Sequence, residues 1–334
     1  MSKRRTLAWC AGLFGLFLIL FYIQLTHGSI HLTAAQVRAT LLGHGSAQDK
    51  LVLLQFRLPQ VALSLICGLC LSISGALLQV VTENPLADTS IMGINAGASL
   101  GAVVFLALSH NFAGLNQTLA LPLCAVAGSF CGALLTFLQH RQQNPLQLLL
   151  VGVATGTLLN GVILLIELQL NQFDFDKLII WISGDFWNQD WHYIGVLGLA
   201  FVILLPVLLL ALHGSDLLAL GPDTATGLGL ATNRKRKQLL GLAVLLAGLA
   251  VAGGGAISFV GLMAPHLARR CVGSRIGHYL PVAALLGVDL ILGAAILAEN
   301  LFAPSQLPVG LVVAVLTLPY FMLLLTRQSA LNEL

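Results

Sequence analysis

The ionisable side chains that could do chemistry within the apolar runs of this chain are few: Glu167, Asp289 and Glu299. Acids near mid-membrane are what a proton- or sodium-coupled carrier uses to move its ion. Asp289 falls mid-run and the other two near run ends, so an ion-coupled secondary transporter of a small solute has one carboxylate to work with. The plainer account of Asp289 is a carboxyl bonded to a neighbouring helix or facing a wet cavity. Cys67 and Cys70 have Cys-x-x-Cys spacing, but no basic or polar activator adjoins them, which leaves them as small packing residues. His266, after Pro265, has no clustered ligands and is read as packing, so no metal site is expected.

Catalytic patterns are missing as well. The sequence contains no Gly-Lys dipeptide, hence no phosphate-cradling loop and no ATP site. It has no His-Glu-x-x-His, no Gly-x-Ser-x-Gly and no recognisable nucleophile–base pair. The chain is therefore read as a non-enzyme with no bound cofactor of its own.

The elements that carry these residues are set by composition. Of 334 residues, 57% are hydrophobic and 9% are charged, against about 25% charged in soluble domains. Lipid must be the solvent for most of the chain, and the bilayer, with no nucleic acid, is the partner implied. Apolar runs predict ten spans, 7–25, 58–81, 90–109, 118–138, 146–168, 194–213, 239–256, 258–271, 280–301 and 307–325, in one domain covering 1–334. The fold class is all-α and polytopic. The eighth span is shorter than a membrane requires, and Pro265 with nearby glycines favours an interrupted helix there. Lys3-Arg4-Arg5 ahead of the first run reads as an uncleaved span with its basic end inside. With that start, twelve of the sixteen basic residues fall inside, Arg141 and Arg234–Lys237 among them, and both termini are expected in the cytoplasm.

Two outside segments are more than turns. Residues 29–37 look like a capped interfacial helix. Residues 171–193 set Trp181, Trp187 and Trp191 among scattered acids, which suits a ledge at headgroup level. On the inside, Leu218–Leu230 forms a soluble-looking break closed by Arg234-Lys235-Arg236-Lys237. Pro222 suits a first helical turn, Asp223 suits a helix N-terminus, and Gly229 can end the element. Ala225 and Leu228, three apart, are expected to share one face. A short amphipathic element between spans is where a cytoplasmic partner can push; the plainer reading is an ordinary loop.

Small residues stud the third span (Gly93, Asn95, Gly97, Gly101) and the fifth (Gly152, Gly156, Gly161). They allow close helix approach, and they also suit a smooth wall along a wide pathway. Asn84-Pro85-Leu86, at the inner end of the second span, reads either as a cytoplasmic gate or as a helix-ending turn. Ser72–Leu77 and Ala252–Ile257 occupy similar places in the two halves, a faint sign of an inverted repeat.

Several spaced motifs occur together and in order. Arg57-Leu58-Pro59 opens the second span, followed by Ile73-Ser74-Gly75-Ala76 with Gln79, then Glu83-Asn84-Pro85-Leu86-Ala87 and Gly93-x-x-Ala96-Gly97-Ala98. Later come Leu218-Ala219-Leu220-Gly221, Gly255-x-Ile257-x-Phe259-Val260-Gly261-Leu262-x-x-Pro265-His266-x-x-Arg269 and Leu307-Pro308-Val309-Gly310. From about Arg57 to Arg327 the chain resembles the permease subunits of bacterial type II ABC importers, the FecCD-type family that carries ferric siderophores, haem and cobalamin.

The resemblance implies a dimeric permease of ten spans per subunit in the bacterial cytoplasmic membrane. Two ATPase subunits, which hold the ATP and Mg, would dock on the loop between spans six and seven, about 214–238 here. Leu220, Gly221, Pro222, Asp223, Ala225, Leu228 and Gly229 would carry that coupling. An extracytoplasmic binding protein would deliver an iron chelate, most often a ferric siderophore. Asn84, Pro85, Leu86, Gly93, Asn95 and Gly97 are the residues expected at the pathway or its inner gate. The family's docking arginines map to Arg57, Gln60 and Glu299, so one charge is kept, one lost and one inverted. That loss predicts a second, different permease chain as partner rather than a homodimer.

Overall fold

The computed structural model describes residues 3–28, 30–90, 92–108, 117–139, 145–170, 172–186, 190–302 and 305–332. Trp187 and Arg141 therefore lie outside the described residues. Among the described residues the regular elements are all helical. In chain order they are α1 (Lys3–Thr26), α2 (Ala34–Leu41), α3 (Ala47–Lys50), α4 (Leu58–Val81), α5 (Ile94–Leu108), α6 (Gln117–Gln139) and α7 (Pro145–Glu167). After these come α8 (Gln172–Ile182), α9 (Trp191–Leu212), α10 (Pro222–Gly227), α11 (Thr232–Gly254), α12 (Val260–Val272), α13 (Ile276–Asn300) and α14 (Val309–Asn332).

Among the described residues each expected span overlaps a helix, and seven helices are long and apolar enough to cross a membrane. α5 and the described apolar part of α14 are shorter, and α12 has only 13 residues. At 1.5 Å per residue α12 reaches ~20 Å, less than the hydrocarbon thickness. It follows a true break, because α11 ends at Gly254 and residues 255–259 are not helical. Gly255 and Phe259 both take left-handed φ there, +67° and +68°. Glycine adopts this backbone without cost, whereas a phenylalanine holds it only when its surroundings impose it.

α4 is the central post. It meets α12 where Gly75 and Gly261 touch, and a Cβ on Gly75 would overlap the Gly261 carbonyl. Two turns away, Gly68 lies against Gly287 and Val288 of α13. Ser74 Oγ donates to the Ala243 carbonyl of α11 at 2.6 Å. With lipid on the outside, such close backbone approach is what holds helices together.

The structure revises two expectations outside the spans. The interfacial helix starts at Ala34 rather than Ser29, because Thr33 and Gln36 form a reciprocal capping box that fixes its first turn. The 171–193 segment is not simply a headgroup ledge. Trp181 and Phe186 are buried, and the Gly310 N–H donates to the Gly184 carbonyl at 2.6 Å. Of the described tryptophans there, Trp191 is the exposed one, and its indole donates to the Leu54 carbonyl at 2.7 Å.

Candidate coupling and gating site

The Leu218–Leu230 break folds as two short helical pieces hinged at a glycine. Ser215–Leu220 forms a 3-10 turn, Gly221 turns the chain at φ +88°, and α10 follows with Pro222 in its first turn. Gly229, also at φ +88°, closes α10, and the Leu230 N–H reaches back to the Ala225 carbonyl. Leu220 (54% exposed) and Leu228 (60%) stand out from the surface beside Asp223. Ala225 does not join them, being fully buried. α10 has only six residues and folds back at once, so the expected shared face of Ala225 and Leu228 is not formed.

Polar links anchor this loop at several points. Asp216 accepts the Ile276 N–H at 2.7 Å and pairs with Arg275 at 3.6 Å, which fixes the loop to the start of α13. Lys235 donates to the His213 carbonyl at 2.6 Å and so joins the two ends of the loop. Arg236, in the first turns of α11, pairs with Glu83 beyond the end of α4.

Glu83 opens the Asn84-Pro85-Leu86 turn, where Asn84 Oδ1 accepts the Leu86 N–H at 2.9 Å. A cavity of about 390 Å³ separates this turn from the 3-10 segment; Gln79, Glu83, Pro85, Asp216, Arg269 and Tyr279 are on its walls. On its other side the same stretch is packed tightly. Asp88 is 1% exposed, and its Oδ2 accepts from the Ser90 hydroxyl. Burial pushes the carboxyl above its ordinary value, the Ser90 hydroxyl offsets this only in part, and Oδ1 has no hydrogen-bond partner among the described residues. Sequence reading passed over Asp88. The available signal was a lone acid in an apolar stretch just ahead of a span.

Two more buried amides reach the same break. Asn95 Nδ2 donates to the Ile257 carbonyl at 3.2 Å, and Gln79 Nε2 to the Gly261 and Leu262 carbonyls at 3.2 and 3.3 Å. Gly93 and Gly97 belong elsewhere. Gly97 abuts Gly128 and Gly132 of α6, and Gly93 lies beside Gly132. With Gly101 against Cys124, the α5–α6 crossing leaves no room for a methyl group at Gly97 or Gly101. These glycines form a helix–helix seam here.

At the opposite end of the bundle, Arg57 is 1% exposed. Its guanidinium donates to the Leu25 and Ile30 carbonyls at the end of α1 and just beyond it. Gln24 bridges Gln60 at 2.8 Å and Glu299 at 3.0 Å, and a side chain on Gly28 would collide with both Arg57 and Glu299. An arginine offered to an external protein is therefore not what the chain presents; Gln60 and Glu299 are the half-exposed members of the group.

Comparisons with known proteins fit this architecture. The family model described as the FecCD transport family matches residues 16–327. This chain belongs to the FecCD transport family. It is 40% identical over 321 residues to the iron(3+)-hydroxamate import system permease protein FhuG of Bacillus subtilis, covering 95% of this chain and 96% of that one. It is 34% identical over 335 residues to the vitamin B12 import system permease protein BtuC of Klebsiella pneumoniae, covering 98% and 96%. A metal-chelate type ABC transporter, solved in an inward-facing conformation, superposes with a TM-score of 0.81 at 26% identity, over 95% of this chain and 98% of that one.

The FecCD fold also frames the residues that first suggested other chemistry. Asp289 is buried in α13 with neither carboxyl oxygen hydrogen-bonded. Cys67 lies against the break, its thiol 3.4 Å from the Ala250 carbonyl, and Tyr193 donates to the Ala252 carbonyl at 2.7 Å. Both pack the end of α11.

Proposed function

We propose that this FecCD permease moves a ferric siderophore inward across the bacterial cytoplasmic membrane, driven by two ATPase subunits docked on residues 214–238. A second, different permease chain completes the pathway, and an extracytoplasmic binding protein delivers the chelate. Both termini lie in the cytoplasm. The relative carrying ferric hydroxamate has the higher identity of the two curated relatives compared, which favours a hydroxamate chelate over cobalamin.

The observation that carries this reading is the exposure of Leu220 and Leu228 on a loop whose polar links run to α11, α13 and the Asn84 turn. Two bare leucines on a charged end of a membrane protein favour burial by a partner, at about 1.5–3 kcal/mol each. Leu220→Asp with Leu228→Asp should abolish co-purification of the ATPase subunits while leaving the permease folded. Undiminished co-purification would reject this loop as the docking site. The rival, an ion-coupled carrier, would import without any ATPase. At the other end, Gln60 and Glu299 form the surface offered to the binding protein, with Arg57 behind them as an internal brace.

A further inference from the structure

Where the first turn of α1 meets the corner between α12 and α13, the chain carries cations and almost no acids. Residues 3–10 and 260–280 contain Lys3, Arg4, Arg5, Arg269, Arg270 and Arg275 but no aspartate or glutamate. Asp216 reaches in from the neighbouring loop and pairs with Arg275, while Arg269 stacks on the Tyr279 ring at 4.7 Å. Arg5 and Arg270 are exposed, and neither takes part in an ion pair among the described residues. The other basic run differs, because Lys235 and Arg236 are committed to the His213 carbonyl and to Glu83.

Helix packing brings the two arginines to one place. α1 and α13 lie side by side in the same direction, since Gln24 donates to Glu299 at 3.0 Å and Leu20 reaches Gly293. The first turn of α1 therefore falls beside the start of α13. There Arg5 lies near enough to the Cys271 thiol to bear on its ionisation, and Cys271 follows Arg270 directly. The corner is open: Gly273 turns the chain at φ +90°, and a Cβ on exposed Gly277 would meet nothing within 4 Å. Arg5 also begins a stripe along α1, with Trp9, Gly12 and Leu16 following at helical spacing. Trp9 is 41% and Leu16 42% exposed, and a side chain on Gly12 would again meet open space.

We propose that Arg5 and Arg270 hold the headgroup of one anionic phospholipid, whose acyl chain lies along Trp9, Gly12 and Leu16. The charges and the apolar stripe together select this occupant. A soluble anion would use the two guanidinium groups and leave the stripe bare, and a zwitterionic lipid would cover the stripe without neutralising the charges. Guanidinium groups pair strongly with phosphate oxygens, and an indole ring suits headgroup level. Basic clefts between membrane helices take anionic headgroups by this combination. The bound lipid would join α1, which shows most of its apolar surface to the bilayer, to the end of α12. The inference goes beyond the importer reading, and it is read out by lipid retention rather than transport, so each can fail without the other.

The test is native mass spectrometry of the full permease chain, released from detergent after titration with cardiolipin or, in parallel, with phosphatidylethanolamine. Wild type should retain cardiolipin about tenfold more tightly than the zwitterionic lipid, since each cation near an anionic headgroup strengthens attachment about fivefold. Arg5→Gln with Arg270→Gln should weaken cardiolipin retention by about tenfold or more. Arg38→Gln with Lys50→Gln removes the same charge elsewhere on the surface and should change it by less than about twofold. Should the first double variant lose its monodisperse form, Arg5→Gln and Arg270→Gln taken singly should each cost about fivefold. Cardiolipin held as tightly by the double variant as by wild type overturns the site. An equal loss in the charge-matched control overturns it too, since net charge alone would then explain retention. Displacement of the lipid by millimolar inorganic phosphate would make this a site for a soluble anion and reject the lipid.

Discussion

Asp216 accepts the Ile276 N–H at 2.7 Å, so a carboxylate of the loop between α9 and α11 caps the first turn of α13. The loop is therefore part of the helical framework rather than an appendage. Removing a helix cap costs about 0.5–2 kcal/mol. Asp216→Ala should lower thermal stability of the complex slightly and reduce stimulation of ATP hydrolysis by loaded binding protein. Stimulation that remains at the wild-type level would show that this contact carries no movement.

The Gly75–Gly261 crossing gives a sharper structural test. A Cβ on Gly75 would overlap backbone of α12, which cannot yield as a flexible side chain could. Overpacking of this kind costs about 1–3 kcal/mol or more. Gly75→Ala should reduce the yield of monodisperse permease and its melting temperature in detergent. Gly12→Ala, with nothing near its added methyl, should not.

Arg57 and Glu299 separate bracing from docking. Arg57→Ala leaves the Leu25 and Ile30 carbonyls without their donor and Glu299 without its neighbouring charge. Breaking a buried charged group's bonds costs about 3–5 kcal/mol. Arg57→Ala should lose folded protein. Glu299→Gln should fold and change binding-protein affinity in a salt-dependent way. A well-folded Arg57→Ala with weakened docking would reverse these roles.

The sequence shows the spans well where punctuation is strong. α4 runs from Leu58 to Val81 as expected, because Pro59 suits its first turn and Asn84-Pro85 lies just past its end. The ends of α10 were legible from Gly221, Pro222 and Gly229 for the same reason. The identity of neighbours was not. Gly93, Gly97 and Gly101 repeat every four residues, a pattern that announces a close partner without naming α6. Arg57 follows an apolar stretch and reads as a surface charge, yet its acceptors lie some thirty positions earlier in the chain. Trp181 reads as interfacial by type, and only the packing of its turn on Gly255 and Gly310 reveals it as core. The burial of Asp88 depends on the position of α12, beside Gly261, which no local pattern encodes.

The central claim is that this permease borrows its energy from ATPases gripping residues 214–238. The most direct measurement is uptake of labelled ferric hydroxamate by proteoliposomes holding the whole complex, with residues 218–230 native or scrambled. The account predicts uptake that requires ATP and disappears on scrambling while the helices stay folded. Uptake that survives without ATP and collapses with an ion gradient would contradict it.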